Sequence, residues 1–93
     1  MSWLPIIIAS DSISDTNYNF YLIDATNSDV TLTMIDATIG DGIYWGIKRI
    51  DNNPANTVTI APGVAGQLIN GLSSVTMAVG GARFILSCQG NWY

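Results

Sequence analysis

Ile43-Tyr44-Trp45-Gly46-Ile47-Lys48-Arg49-Ile50, then Asp51-Asn52-Asn53-Pro54-Ala55-Asn56, then Thr57-Val58-Thr59-Ile60: the reading of the fold turns on this stretch. Both arms are rich in β-branched and aromatic residues, and the connector is made of turn formers. The pattern predicts a β-hairpin, with the flanking segments adding further strands. Ile43, Trp45 and Ile47 fall on one face of the first arm, Tyr44, Gly46 and Lys48 on the other. A glycine inside a strand marks a bulge or a close approach, and Gly46 is read that way.

Working outward, Val30-Thr31-Leu32-Thr33-Met34 alternates apolar with polar residues and predicts a strand with one buried face. Tyr18 to Asp24 is a further strand, with Tyr18, Phe20 and Leu22 on one face and Asn19, Tyr21 and Ile23 on the other. Downstream come a short strand at Gln67-Leu68-Ile69, a tight turn at Asn70-Gly71, alternation around Val75 and Met77, and a long strand from Arg83 to Gln89. Turn formers recur roughly every 8–12 residues, a spacing that belongs to sandwiches and barrels. The expected fold is therefore all-β, a small sandwich or barrel-like domain of about six to eight short antiparallel strands. Two echoes stand out: Ile23-Asp24-Ala25-Thr26 returns as Ile35-Asp36-Ala37-Thr38, and Val-Thr recurs at 30, 58 and 75. Their unequal spacing argues against a repeat array and for similar strands leaving similar turns.

The chain has 93 residues, enough for one domain with a thin core of its own. Hydrophobic residues make up 48% and charged residues only 11%, where about 25% is usual. So little charge cannot coat a monomer in the ordinary way, and part of the apolar surface is expected to face a copy or a larger assembly. All seven acids are Asp, the bases are only Lys48, Arg49 and Arg83, and the net charge is −4. That balance offers nothing to a phosphate backbone, so nucleic acid is not an expected partner. No run approaches the ~20 apolar residues that cross a bilayer as a helix, and no membrane partner is expected. Cys88 has no intrachain mate, and its apolar strand predicts a buried, inert thiol.

Residues 1–16 read as an apolar strand or docking arm in front of a single β domain at 17–93. Trp3, Leu4, Ile6, Ile7 and Ile8 carry the apolar character of this arm, and Pro5 suits a strand start or an edge. Two readings stand: an ordinary edge strand, or a segment that docks on a neighbouring chain. The missing basic n-region, the proline and the short apolar run make a strand or extended arm the expected reading rather than a signal peptide.

Catalytic chemistry finds little to work with. There is no histidine, and no serine has an evident activating base. No catalytic residue, cofactor or metal site is expected. Asp24, Asn27 and Asp29 offer oxygens but lack the spacing and closing Glu of a calcium loop, so they read as a turn. Tyr21, Tyr44, Trp45, Trp92, Tyr93 and Trp3 could form a platform for sugar rings. Trp45 is in phase with Ile43 and Ile47, which favours the core. Tyr44, Trp92 and Tyr93 are the candidates for an aromatic or subunit-contact surface.

From about Asn17 to Tyr93 the sequence resembles a small β-module that recurs in bacteriophage virion proteins, often in tail fibres and related appendages. The pattern runs through Val30-Thr31-Leu32-Thr33, Gly42-Ile43-Tyr44, Ile47-Lys48 and Asn56-Thr57-Val58-Thr59-Ile60. It continues through Ile69-Asn70-Gly71 with Ser73-Ser74, Phe84-Ile85-Leu86-Ser87 and Gly90-Asn91-Trp92-Tyr93. The resemblance implies a homotrimeric, non-enzymatic virion part. On this reading the module fills nearly the whole chain with no heptad or Gly-X-Y shaft, which favours a capsid decoration protein on the outer surface of the virion. Its expected partners are its own copies and the major capsid protein or another virion protein. The alternative is a tail fibre or tail tip module that binds a host receptor or glycan.

Overall fold

The structure, a computed structural model, describes residues 5–14, 16 and 18–93. Its strands are β1 (Ile6–Ile7), β2 (Asp11–Ser12), β3 (Phe20–Ile23), β4 (Val30–Thr33), β5 (Tyr44–Arg49), β6 (Val58–Ala61), β7 (Val75–Met77), β8 (Ala82–Cys88) and β9 (Asn91–Trp92). Among the described residues helix is confined to one 3-10 turn at Ala37–Ile39. The all-β expectation holds, with nine described strands where six to eight were expected, because the edge pieces β1, β2 and β9 are only two residues long. The strands form a five-stranded sheet ordered β1-β3-β5-β8-β9 and a four-stranded sheet ordered β2-β4-β6-β7.

The pairing departs from the expected antiparallel arrangement. β1 to β6 alternate between the two sheets, and β1, β2, β3 and β4 each pair parallel with the strand two places on. Parallel strands need a crossover, and here each crossover is a strand of the opposite sheet. The result is a short two-sheeted coil, completed by antiparallel β7, β8 and β9. The predicted hairpin does not form: β5 lies in one sheet and β6 in the other. The cause is burial. Trp45 and Ile47 on β5 and Val58 and Ile60 on β6 are all buried, and they meet across two layers rather than side by side.

Both echoes have a structural meaning. Val30 and Thr31 stand opposite Val58 and Thr59 in adjacent strands, so equal dipeptides occupy equal places in successive coils. Ladder register constrains the strands alone, and connectors of different length hide the period. The Asp-Ala-Thr echo is a corner used twice. Asp24 Oδ1 accepts from the amide and hydroxyl of Thr26, and Asp36 Oδ1 accepts likewise from Thr38. At both corners the intervening Ala25 or Ala37 is buried.

The core lies between the sheets and is filled by residues that alternate inward along each strand. Trp45 and Trp92 are both 0% exposed and meet edge to face, ring centroids 5.3 Å apart. Trp45 is therefore core, as its phase predicts. At Asn70-Gly71 the turn is as expected, with φ of 49° and 79° that suit Asn and Gly. The strand predicted at 67–69 reduces to Ile69, which bridges Leu72 and Trp92.

Candidate interaction face

The outer face of the five-stranded sheet is apolar, and ladder register sets its residues in rows. Phe20, Gly46 and Phe84 stand opposite one another on β3, β5 and β8. Tyr44 is opposite Leu86, which exchanges two main-chain hydrogen bonds with Tyr93 (2.8 and 2.9 Å). Ile6, Leu22, Lys48 and Ala82 make the third row. Ile6, Phe20, Tyr44, Phe84, Leu86 and Tyr93 are all exposed, Phe84 most of all at 61%. Outward residues of a strand open to water are normally polar. On β8 both faces are apolar, with Ile85 inside and Phe84 and Leu86 outside.

Gly46 sets the relief of this face. A Cβ there would lie 2.7 Å from Phe20 Cδ1 and 3.6 Å from Phe84 Cδ2, so the missing side chain lets the Phe20 ring lie across β5. The strand carries no bulge at Gly46, because its pairing with β8 is continuous through Gly46 and its pairing with β3 runs unbroken from Gly46 to Arg49. Of the two readings of this glycine, close approach is the one realised. The Phe20 and Phe84 rings meet edge to face at 6.5 Å, and Tyr44 stacks on Phe84 at 5.2 Å. Beside the rings, Gly46, Ala82 and the Lys48 stem floor a groove of about 370 Å³. Lys48 Nζ donates to the Gly80 carbonyl at 2.6 Å, which turns its charge to the margin.

The opposite outer face has a different chemistry. Thr31, Thr59 and Thr76 stand in one row across β4, β6 and β7, and Ser12, Thr33 and Ala61 in another. All but Ala61 are small hydroxyl residues of the kind water solvates well. No acid lies in a strand of the five-stranded sheet. Among the described residues Asp11 is on β2 and the other Asp residues are in connectors.

Arg49 and Asp51 form a buried pair that staples one end of the coil. Arg49 Nε and Nη2 donate to the two Asp51 carboxylate oxygens at 2.9 and 3.1 Å. The guanidinium also donates to the carbonyls of Met77, Asn53 and Asn56, each at 2.8 Å. Asp51 further accepts from the amides of Ala25 and Asn53. Hydrogen bonding from Arg49, helped by these amides, holds the Asp51 carboxyl well below the usual carboxylate range against the opposing effect of burial. All these partners are structural, so the pair joins the 24–26 corner, the 51–56 connector and β7. The Asp36 carboxyl is also lowered, first by the Thr38 amide, then by the Thr38 hydroxyl and the Gln67 side chain.

The sequence candidates divide. Tyr44 and Tyr93 lie on the apolar face. Trp92 does not: it is buried in its own chain, because its neighbours on β9 alternate and its inward turn meets Trp45. With Tyr21 and Trp45 also buried, the six-residue sugar platform is not assembled. Trp3 and Leu4 lie outside the described residues. Ile6 and Ile7 form the edge strand β1, with Pro5 O and Ile7 O accepting from the amides of Leu22 and Asp24. Ile8 is exposed at 65%. Cys88 is half-buried rather than buried, because it alternates outward with Phe84 and Leu86. Phe20 and Phe84 were not singled out by sequence. The signal for Phe84 was available in Phe84-Ile85-Leu86, which is apolar at both phases of a strand.

Asp24 and Asp29 serve different partners, Asp24 holding Thr26 and Asp29 Oδ1 accepting from the Thr57 amide at 2.7 Å. Among the described residues no three His, Cys, Asp or Glu side chains converge as metal ligands do. Compared with known proteins, the chain matches no family model, no curated protein and no solved structure.

Proposed function

We propose that this chain is a non-enzymatic structural protein of a bacteriophage virion, a trimeric decoration protein on the outer surface of the capsid. One observation carries the reading: the two outer faces of the sandwich differ, one apolar and aromatic, the other a hydroxyl array. A face of the first kind is suited to another protein surface. The resemblance of residues 17–93 to virion β-modules supplies the setting.

The partner on the particle is the major capsid protein or another virion protein. β1 is the edge of its sheet, so an extended capsid segment can add beside it through main-chain hydrogen bonds. Ile6 and Ile7 are already paired with β3. The arm therefore acts by presenting an edge rather than by leaving its own sheet. Three such edges on one trimer bind together, which multiplies weak single attachments.

Purified protein mixed with undecorated capsids of the encoding phage should co-sediment with them. Protein that ignores capsids but coats host cells supports the second reading, a tail fibre or tail tip module. That reading draws on the exposed rings of Tyr44, Phe84 and Tyr93, which could meet a host receptor or glycan.

A further inference from the structure

We infer that the apolar outer face of the five-stranded sheet is the surface on which copies of this chain meet, and that a ring of one copy enters the groove that runs beside Phe20 and Phe84, along Lys48 and Ala82, of the next. The inference rests on the proposed assembly for its threefold order, but it does not depend on a capsid.

Area comes first. A large side chain buries ~150–250 Å², so six such residues about half exposed present roughly 500–600 Å² of apolar surface. Leu22, Ala82 and the stem of Lys48 extend the same face. A specific interface of standard size takes about 800 Å² from each partner. The face is of that order, and it is as large as the largest apolar patches found on monomers, roughly 300–600 Å².

Charge selects a copy of the chain as occupant. The described acidic side chains lie off this sheet, in connectors and on β2; of the two cations that line the groove, Lys48 turns to Gly80 O and Arg83 is half-buried on the inward phase of β8. Two such faces can meet with no acid opposing an acid, although each chain carries a net charge of −4. A strongly basic partner would find no acidic side chain on the strands of this face. Shape agrees: Phe84 and Phe20 are raised beside a groove floored by Gly46 and Ala82, so the same face offers both knob and seat. Main-chain edges play no part in this contact, which leaves β1 free for another partner. In a trimer the hydroxyl rows then face outward.

Sedimentation of the full chain at micromolar concentration tests this. Wild type should sediment at three times the 10.0 kDa chain mass. Phe84→Asp and Leu86→Asp should each fall to the monomer mass with an unchanged far-UV β spectrum. Thr76→Asp, on the opposite face, should keep the wild-type mass. Cys88 gives a second readout, since it alternates outward with Phe84 and Leu86. Its alkylation by iodoacetamide should be slow in the wild-type assembly and faster in both disrupting variants. An assembly that survives both substitutions overturns the inference, as does one that Thr76→Asp dissociates. A monomeric wild type also overturns it. Capsids left bare by an intact assembly would remove the decoration role and leave this interface standing.

Discussion

Replacing Gly46 by alanine separates the stability of the domain from the use of its apolar face. The new Cβ would lie 2.7 and 2.8 Å from Phe20 Cδ1 and Cε1, closer than such atoms come, so the ring must move. It can move, because Phe20 is 46% exposed and only its side chain is in the way. Three effects then compete. A strand-interior glycine costs roughly 0.5–1 kcal/mol against alanine, so its removal stabilises by that amount. Losing the edge-to-face pair of Phe20 with Phe84 costs about 0.5–1.5 kcal/mol. A strained ring torsion adds about 0.5–1.5 kcal/mol unless Phe20 finds another rotamer. The sum is a destabilisation of at most about 2.5 kcal/mol, near zero if the ring relaxes fully. For a domain this size each kcal/mol shifts Tm by about 4–8 °C. Gly46→Ala should thus lower Tm by no more than about 20 °C and leave the protein folded, while the displaced Phe20 ring partly fills the groove and weakens association between copies. Calorimetry on dilute protein reads the first effect and sedimentation the second. Failure to fold would refute the reasoning, because it would mean that the backbone rather than a mobile ring needs the space. Unchanged association would refute the role of the groove.

Three further outcomes are expected. Trp45→Ala should cost on the order of 3–5 kcal/mol, read by urea denaturation, since Trp45 is fully buried against Trp92; a variant as stable as wild type would put the ring outside the core. Asp51 has a folded-state pKa below its unfolded one, so its stabilisation is complete above the unfolded value of about 3.9 and lost as pH falls toward the folded value. Melting temperatures of wild type should therefore drop below about pH 4, and those of Asp51→Asn, lower at neutral pH, should depend less on pH there; parallel curves would exclude Asp51 as the titrating group. Deleting residues 1–10 removes β1 and should abolish co-sedimentation with capsids while the truncated chain still assembles; capsid binding that survives the cut would rule out the β1 edge as the attachment.

Alternation at Val30–Met34, turn formers at short intervals and the absence of helical spacing were enough to establish an all-β domain. They were enough because each depends on a residue and its near neighbours along one strand. The core placement of Trp45 followed in the same way from its phase with Ile47. Strand direction was not legible, since a β-rich run can pair parallel or antiparallel with the same residues. Only the meeting of Trp45 and Ile47 with Val58 and Ile60 across two layers sent β5 and β6 to different sheets. Phase also gives two faces without saying which is inside. Trp92 is inside and Phe84 outside because of what stands opposite them, Trp45 in one case and a glycine with a ring across it in the other. The apolar face is therefore a tertiary fact: its rows join residues 6, 20, 44, 84, 86 and 93, and register brings together what no local pattern connects.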